Sequence, residues 1–114
     1  MISFQTLLNV APFNAETRAK LDLNMSSLSE DQKLKLTQIA WSMISALYQA
    51  KLNKEFELEL LDVREGKKQY DENIREKIEG KLLHELAQKL ELSGTEEEIE
   101  EVKKSIEQFK TSSS

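Results

Sequence analysis

The chain has 114 residues and a mass of 13.1 kDa, enough for one domain with a real hydrophobic core and too little for two. Its formal net charge is −5 and it contains no cysteine, which excludes a disulfide, a thiolate metal site and a cysteine nucleophile. Ala, Glu, Lys, Leu and Arg supply half of the residues, and three Gly and one Pro leave few sharp turns, so the composition points to long helices.

Apolar residues make up 39% and charged residues 32%, a balance that suits an elongated, thin bundle with much surface per residue. The apolar positions recur periodically, which argues against disorder. Charge is near balance over residues 1–60 and acidic over 61–114, with no concentrated basic face of the kind a nucleic-acid backbone requires. The first ten residues lack a basic n-region and a small-residue cleavage site, and no apolar run reaches the length of a membrane span. These features lead to the expectation of a cytoplasmic protein.

Along the chain, residues 2–9 read as a short helix with Ile2, Leu7 and Leu8 available for packing, ended by Pro12. Asn14 is a good N-cap for a second helix over 15–24, with Ala15, Ala19 and Leu23 at fourfold spacing. Neither helix is stable alone, so both are expected to pack on the rest. Ser29 with Gln32 forms a capping box, and Glu30 and Asp31 favour the positive end of the helix that follows. Nothing breaks that helix until Gly66, so it is expected to run over 30–65, with Lys51, Leu52, Asn53 and Lys54 its weakest stretch.

The first half of this long helix is apolar on two adjoining faces. Leu36, Ile39, Ala40, Met43, Leu47 and Ala50 form one stripe; Trp41, Ile44, Tyr48 and Leu52 form the next. The second half narrows to Phe56, Leu60 and Val63, with Leu58 and Leu61 to one side. Gly66 suits the left-handed position that ends a helix, and Asp71 is expected to cap a helix over 72–92 that returns antiparallel. A reversal near residues 66–70 sets Gly80 across from Phe56, where close approach would account for a glycine inside a helix. Ser93 and Gly94 close that helix, and Thr95 with Glu98 opens a last one over 96–110 carrying Ile99, Val102, Ile106 and Phe109. Residues 111–114 read as a disordered polar tail.

The motifs with chemical meaning each fail on a required residue. His84 and Glu85 resemble the start of a zinc-protease helix, but position 88 is Gln where a second His is needed. Position 81 is Lys where a di-metal bundle would place Glu, and the chain has a single His. The acidic run Glu96, Glu97, Glu98, Glu100 and Glu101 lacks the loop spacing of a calcium site and reads as helix-start chemistry. Arg64, Lys67 and Lys68 form the one local basic cluster, at the hairpin tip, without the glycine and Ser/Thr of a phosphate loop. No nucleophile has an assigned base.

The expected architecture is an all-α, elongated bundle of three to five helices within a single domain over 1–110, built on a long antiparallel hairpin. The last helix folds back and the N-terminal pieces cover the aromatic half. Aromatic and Met stripes are more often core than partner groove, yet two apolar faces on one helix single out Trp41, Ile44, Tyr48 and Leu52 as a candidate interaction face. The expected function is a non-enzymatic protein-interaction module (an adaptor, assembly factor or regulator) acting by helix packing. The alternative is a self-associating structural homodimer, and third stands an enzyme or cofactor-binding bundle. No cofactor, metal, nucleic acid, membrane or small-molecule substrate is expected; the partner is another protein or a second copy.

Overall fold

The computed structural model describes residues 2–109, which form five α-helices and, among those residues, no strand. They are α1 (Phe4–Val10), α2 (Ala15–Asn24), α3 (Glu30–Arg64), α4 (Ile74–Lys89) and α5 (Glu96–Gln108), with a 3-10 turn, Met25–Ser27, between α2 and α3. The expected polar tail at 111–114 lies outside the described residues.

Four of the five starts are capped by a side chain within one turn of the helix. Ser3 accepts from the Thr6 N–H at 3.1 Å and Asn14 from the Thr17 N–H at 2.8 Å. Ser29 and Gln32 exchange both bonds of a capping box, as do Thr95 and Glu98. Each cap satisfies amide donors that have no partner inside the helix. The Glu98 carboxylate also accepts from the Ser93 hydroxyl at 2.7 Å, which fixes the approach of the preceding loop.

The start of α4 departs from expectation. Its N-cap is Asn73, with no side-chain cap bond, and the helix begins at Ile74. Asp71 instead accepts from the Asn73 N–H at 2.8 Å, holding a turn before the helix, and pairs with Lys77. Asx-type turns of this kind compete with the cap position for the same carboxylate.

The Lys77 ammonium, with the Asn73 N–H, holds the Asp71 carboxyl below the usual carboxylate range. The Ser93 hydroxyl and the Thr95 N–H do the same for Glu98. A depressed folded-state pKa stabilises above the unfolded value, and the contribution is lost as pH falls through the folded one. The thermal midpoint is therefore expected to drop as the solution is acidified through and below the ordinary carboxylate range. Glu98→Gln should flatten that decline, as read by circular dichroism melts; an identical slope in the variant would show that this cap carries none of it.

Two helices end in a Schellman arrangement, one with glycine and one without. At the end of α3, Gly66 takes φ 76, with Gly66 N–H bonded to the Val63 carbonyl and Lys67 N–H to that of Asp62. At the end of α4 the left-handed residue is Glu91, at φ 62, with Leu92 N–H bonded to the Ala87 carbonyl. This stops α4 at Lys89, short of the expected 92. Leu90, 2% exposed, is the reason for the early turn: ending there folds it into the core. A left-handed glutamate costs roughly 1–2 kcal/mol relative to glycine, and burial of a leucine offsets a cost of that size. The Glu91 carboxylate also accepts from the Thr6 hydroxyl at 3.0 Å, tying α1 to this corner.

α3 is unbroken through its 35 residues and sets the shape of the molecule. At roughly 1.5 Å per residue it spans about 52 Å, against a longest dimension of 56 Å for the described residues. Leu52, in the stretch expected to be weakest, is buried against α4 and α5, and packing there supports the unbroken helix. α4 returns beside it: Lys81 Nζ lies 3.7 Å from Glu55, and the Arg75 guanidinium stands 5.4 Å over the Phe56 ring. α5 folds back along both, with the buried Ser45 hydroxyl donating to the Ile106 carbonyl at 2.9 Å. That bond joins α3 to the last turn of α5, where helix carbonyls run out of intrahelical donors.

α1 packs on α3 through Leu7 and Leu8, as expected of an N-terminal cover. α2 does not act as a cover: it buries no residue, and Leu23 is 83% exposed. Its packing is chiefly against the adjoining 3-10 turn. Phe13 before α2 and Met25 after it pack on the core, so the helix is a loop held at both ends.

The reason expected for Gly80 is also overturned. A methyl group built on it meets nothing within 4 Å, so no close approach excludes a side chain there. Glycine in a helix interior is destabilising by about 0.5–1 kcal/mol relative to alanine. Gly80→Ala is therefore expected to stabilise the protein by about that amount in urea denaturation; a loss of stability would restore the close-approach account.

Candidate interaction surface

The four residues singled out as an interaction face lie in the core. Trp41, Ile44, Tyr48 and Leu52 are between 2% and 9% exposed, packed in one cluster with Leu82, Leu83 and Ile106. They are the seam of the bundle rather than a free face, because α4 and α5 close on that side of α3. Burial, reinforced by the nearby Glu79 carboxylate, pushes the Tyr48 phenol up to about 12. A raised folded-state value for an acid stabilises below the unfolded one and is lost as pH rises through the folded one. Stability is thus expected to decline above the ordinary tyrosine range toward pH 12, more steeply than in Tyr48→Phe, in chemical denaturation across alkaline buffers.

The basic cluster at the hairpin tip is partly neutralised. Lys68 reaches both oxygens of Glu59, at 2.8 and 2.9 Å, and that bond raises its pKa. Lys67 pairs with Glu65 at 2.9 Å. Arg64 lines a surface hollow with Leu58 and Leu61.

The apolar surface that α3 leaves uncovered is part of its other stripe, in which Ala40 is fully buried. Ile39, Leu47, Leu58 and Leu61 are between 40% and 52% exposed. Leu36 and Met43 are half-buried between them, and Ala46 and Ala50 are exposed. At about 100° per residue, positions 36, 39, 43, 47, 50, 54, 58 and 61 all fall on one side of the helix, roughly opposite Trp41, Tyr48 and Leu52. Between its two apolar halves the line carries Ala50 and Lys54, and Lys54 lines a surface hollow with Leu58 and Leu61. The sequence contains both stripes of α3; it does not tell which one α4 and α5 will cover.

Charge on α3 is segregated along its length. Residues 32–54 contain Lys33, Lys35, Lys51 and Lys54 and no acid, whereas residues 55–65 contain Glu55, Glu57, Glu59, Asp62 and Glu65 against Arg64 alone. Carboxylates near a helix C-terminus oppose the helix dipole, so this order is unfavourable within an isolated helix. Lys68 and Lys81 compensate Glu59 and Glu55 from outside α3. Lys35, Lys51, Lys54 and Glu57 form no ion pair among the described residues.

The interior offers little room for a small ligand. A cleft between α1, α3 and α4, lined by Val10, Ile44, Leu47, Tyr48, Leu82 and Leu86 among others, holds about 50 Å³, well under the roughly 300 Å³ at which ligand pockets begin. His84 is exposed on α4, and no group of three metal-ligating side chains occurs among the described residues. No described helix is long and apolar enough to cross a membrane. No family model, curated protein or solved structure matches the chain.

Proposed function

We propose that this protein is an interaction module that works by presenting the outward face of α3 to a partner helix. The observation that carries this reading is the line of exposed apolar residues, Ile39 and Leu47 in one half and Leu58 and Leu61 in the other, on a helix whose opposite side is already packed. Single exposed apolar residues are ordinary, but a contiguous line of them along one rigid helix is the mark of a surface that is covered in use. An unbroken helix held by two others offers its partner a pre-organised seam, which lowers the entropy lost on binding. Nothing in this role requires a reacting group.

The test is site-specific photocrosslinking in the native host. A photoreactive residue replacing Leu47 or Leu58 should give a discrete adduct, and one replacing the exposed Gln88 on α4 should not. No adduct from either stripe position would overturn the proposal.

A further inference from the structure

Resting on that reading, we infer that the occupant of the α3 face is a second copy of this chain, with the two α3 helices antiparallel about a two-fold axis near Ala50. Two features of the exposed face support self-pairing in that sense. The first is shape. The stripe over residues 36–61 is bulky on either side of Ala50, with Leu36, Ile39, Met43 and Leu47 before it and Leu58 and Leu61 after it. An antiparallel overlay sets Ile39 beside the partner's Leu61 and Leu36 near the partner's Arg64. Ala50 faces its own counterpart, where the absence of bulk lets the backbones approach. The stem of Lys54 then lies over the partner's Ala46, its ammonium free to reach water.

The second feature is charge. Antiparallel pairing places residues 35–45 of one protomer, which contain no acid, along the acidic residues 55–65 of the other, with Lys35 beside the partner's Asp62 and Glu65, while Lys51 and Lys54 of both protomers lie near the axis. Parallel in-register pairing would set residues 55–65 against themselves, carboxylate on carboxylate, which disfavours it. The carboxylates that oppose the dipole at the end of a lone helix thus meet an acid-free stretch carrying Lys35 in the pair. An interface built from one patch used twice also closes on itself and leaves no free end to propagate.

The absence of native cysteine makes the orientation directly readable. Light scattering over a concentration series should show the mass rising from 13.1 kDa toward twice that value. Under mild oxidation Ala50→Cys should cross-link with itself, and an equimolar mixture of Ile39→Cys and Leu61→Cys should yield the mixed dimer. Ile39→Cys alone should give none. Lys35→Glu should weaken association at least tenfold, and adding Glu65→Lys to the same chain should restore it. A monomer at every concentration, or self-cross-linking of Ile39→Cys, would overturn the inference. A monomer whose stripe still photocrosslinks to a different protein would remove the homodimer and leave the interaction module standing. A monomer with no adduct would remove both.

Discussion

Leu52→Ala is expected to lower the free energy of unfolding by about 2–5 kcal/mol, while Leu58→Ala, six residues along the same helix, should change it by no more than about 0.5 kcal/mol. Leu52 is 2% exposed and shares its surroundings with Leu83 and Ile106, so truncation opens a cavity where α3, α4 and α5 meet. Leu58 is 52% exposed and loses only part of its contact with its own helix. Both substitutions exchange one leucine for one alanine, so helix propensity changes nearly equally and the difference isolates packing. Urea denaturation at low protein concentration, where self-association is minimal, is the appropriate measurement. Equal effects at the two positions would mean that the outward stripe is covered within the monomer, and the proposed function would lose its basis.

Leu8→Ala should produce the second large effect, with a different signature. α1 is seven residues long and could not persist as an isolated helix in water. It is held by Leu7, Leu8 and Ala11, all buried, and by the Thr6–Glu91 bond at its edge. The direct cost of truncating Leu8 is again about 2–5 kcal/mol, but the loss is limited by the alternative of releasing α1 altogether. The expected result is that amide protection in α1 falls to that of an exposed segment while protection in the centres of α3 and α4 survives at a reduced level. Uniform loss across the chain would instead place α1 in the same cooperative unit as the hairpin.

The elements most legible in the sequence are those whose determinants lie within one turn of each other. Ser29 with Gln32, Thr95 with Glu98, and Asn14 ahead of Ala15 each make the expected cap, because donor and acceptor are three residues apart and no other part of the chain is needed. Gly66 ends α3 for the same reason. Asp71 shows the limit of that logic: a carboxylate near a helix start has more than one local amide within reach, and here the turn bond to Asn73 prevails. Glu91 shows a different limit, since its left-handed backbone follows from the burial of Leu90 rather than from any residue preference at position 91.

The candidate surface was half legible. Periodicity identifies both apolar stripes of α3, and it places Leu58 and Leu61 to one side of the distal half. Selection of Trp41, Ile44, Tyr48 and Leu52 as the free face fails because aromatic bulk is equally suited to a core and to a partner groove. The same ambiguity applies to Leu23, whose fourfold spacing with Ala15 and Ala19 suggests a packed stripe that α2 does not form.

By itself, then, the sequence determines the helices, every N-terminal cap but that of α4, the long hairpin and the polarised charge of α3, all set by hydrogen bonds and spacing within a few residues. Only the tertiary structure decides which side of α3 is interior, that α1 packs while α2 stands off, and that Gly80 faces open space. A helix carries its apolar faces wherever it goes; which of them loses its water depends on where the other helices close, and that is a property of the whole chain.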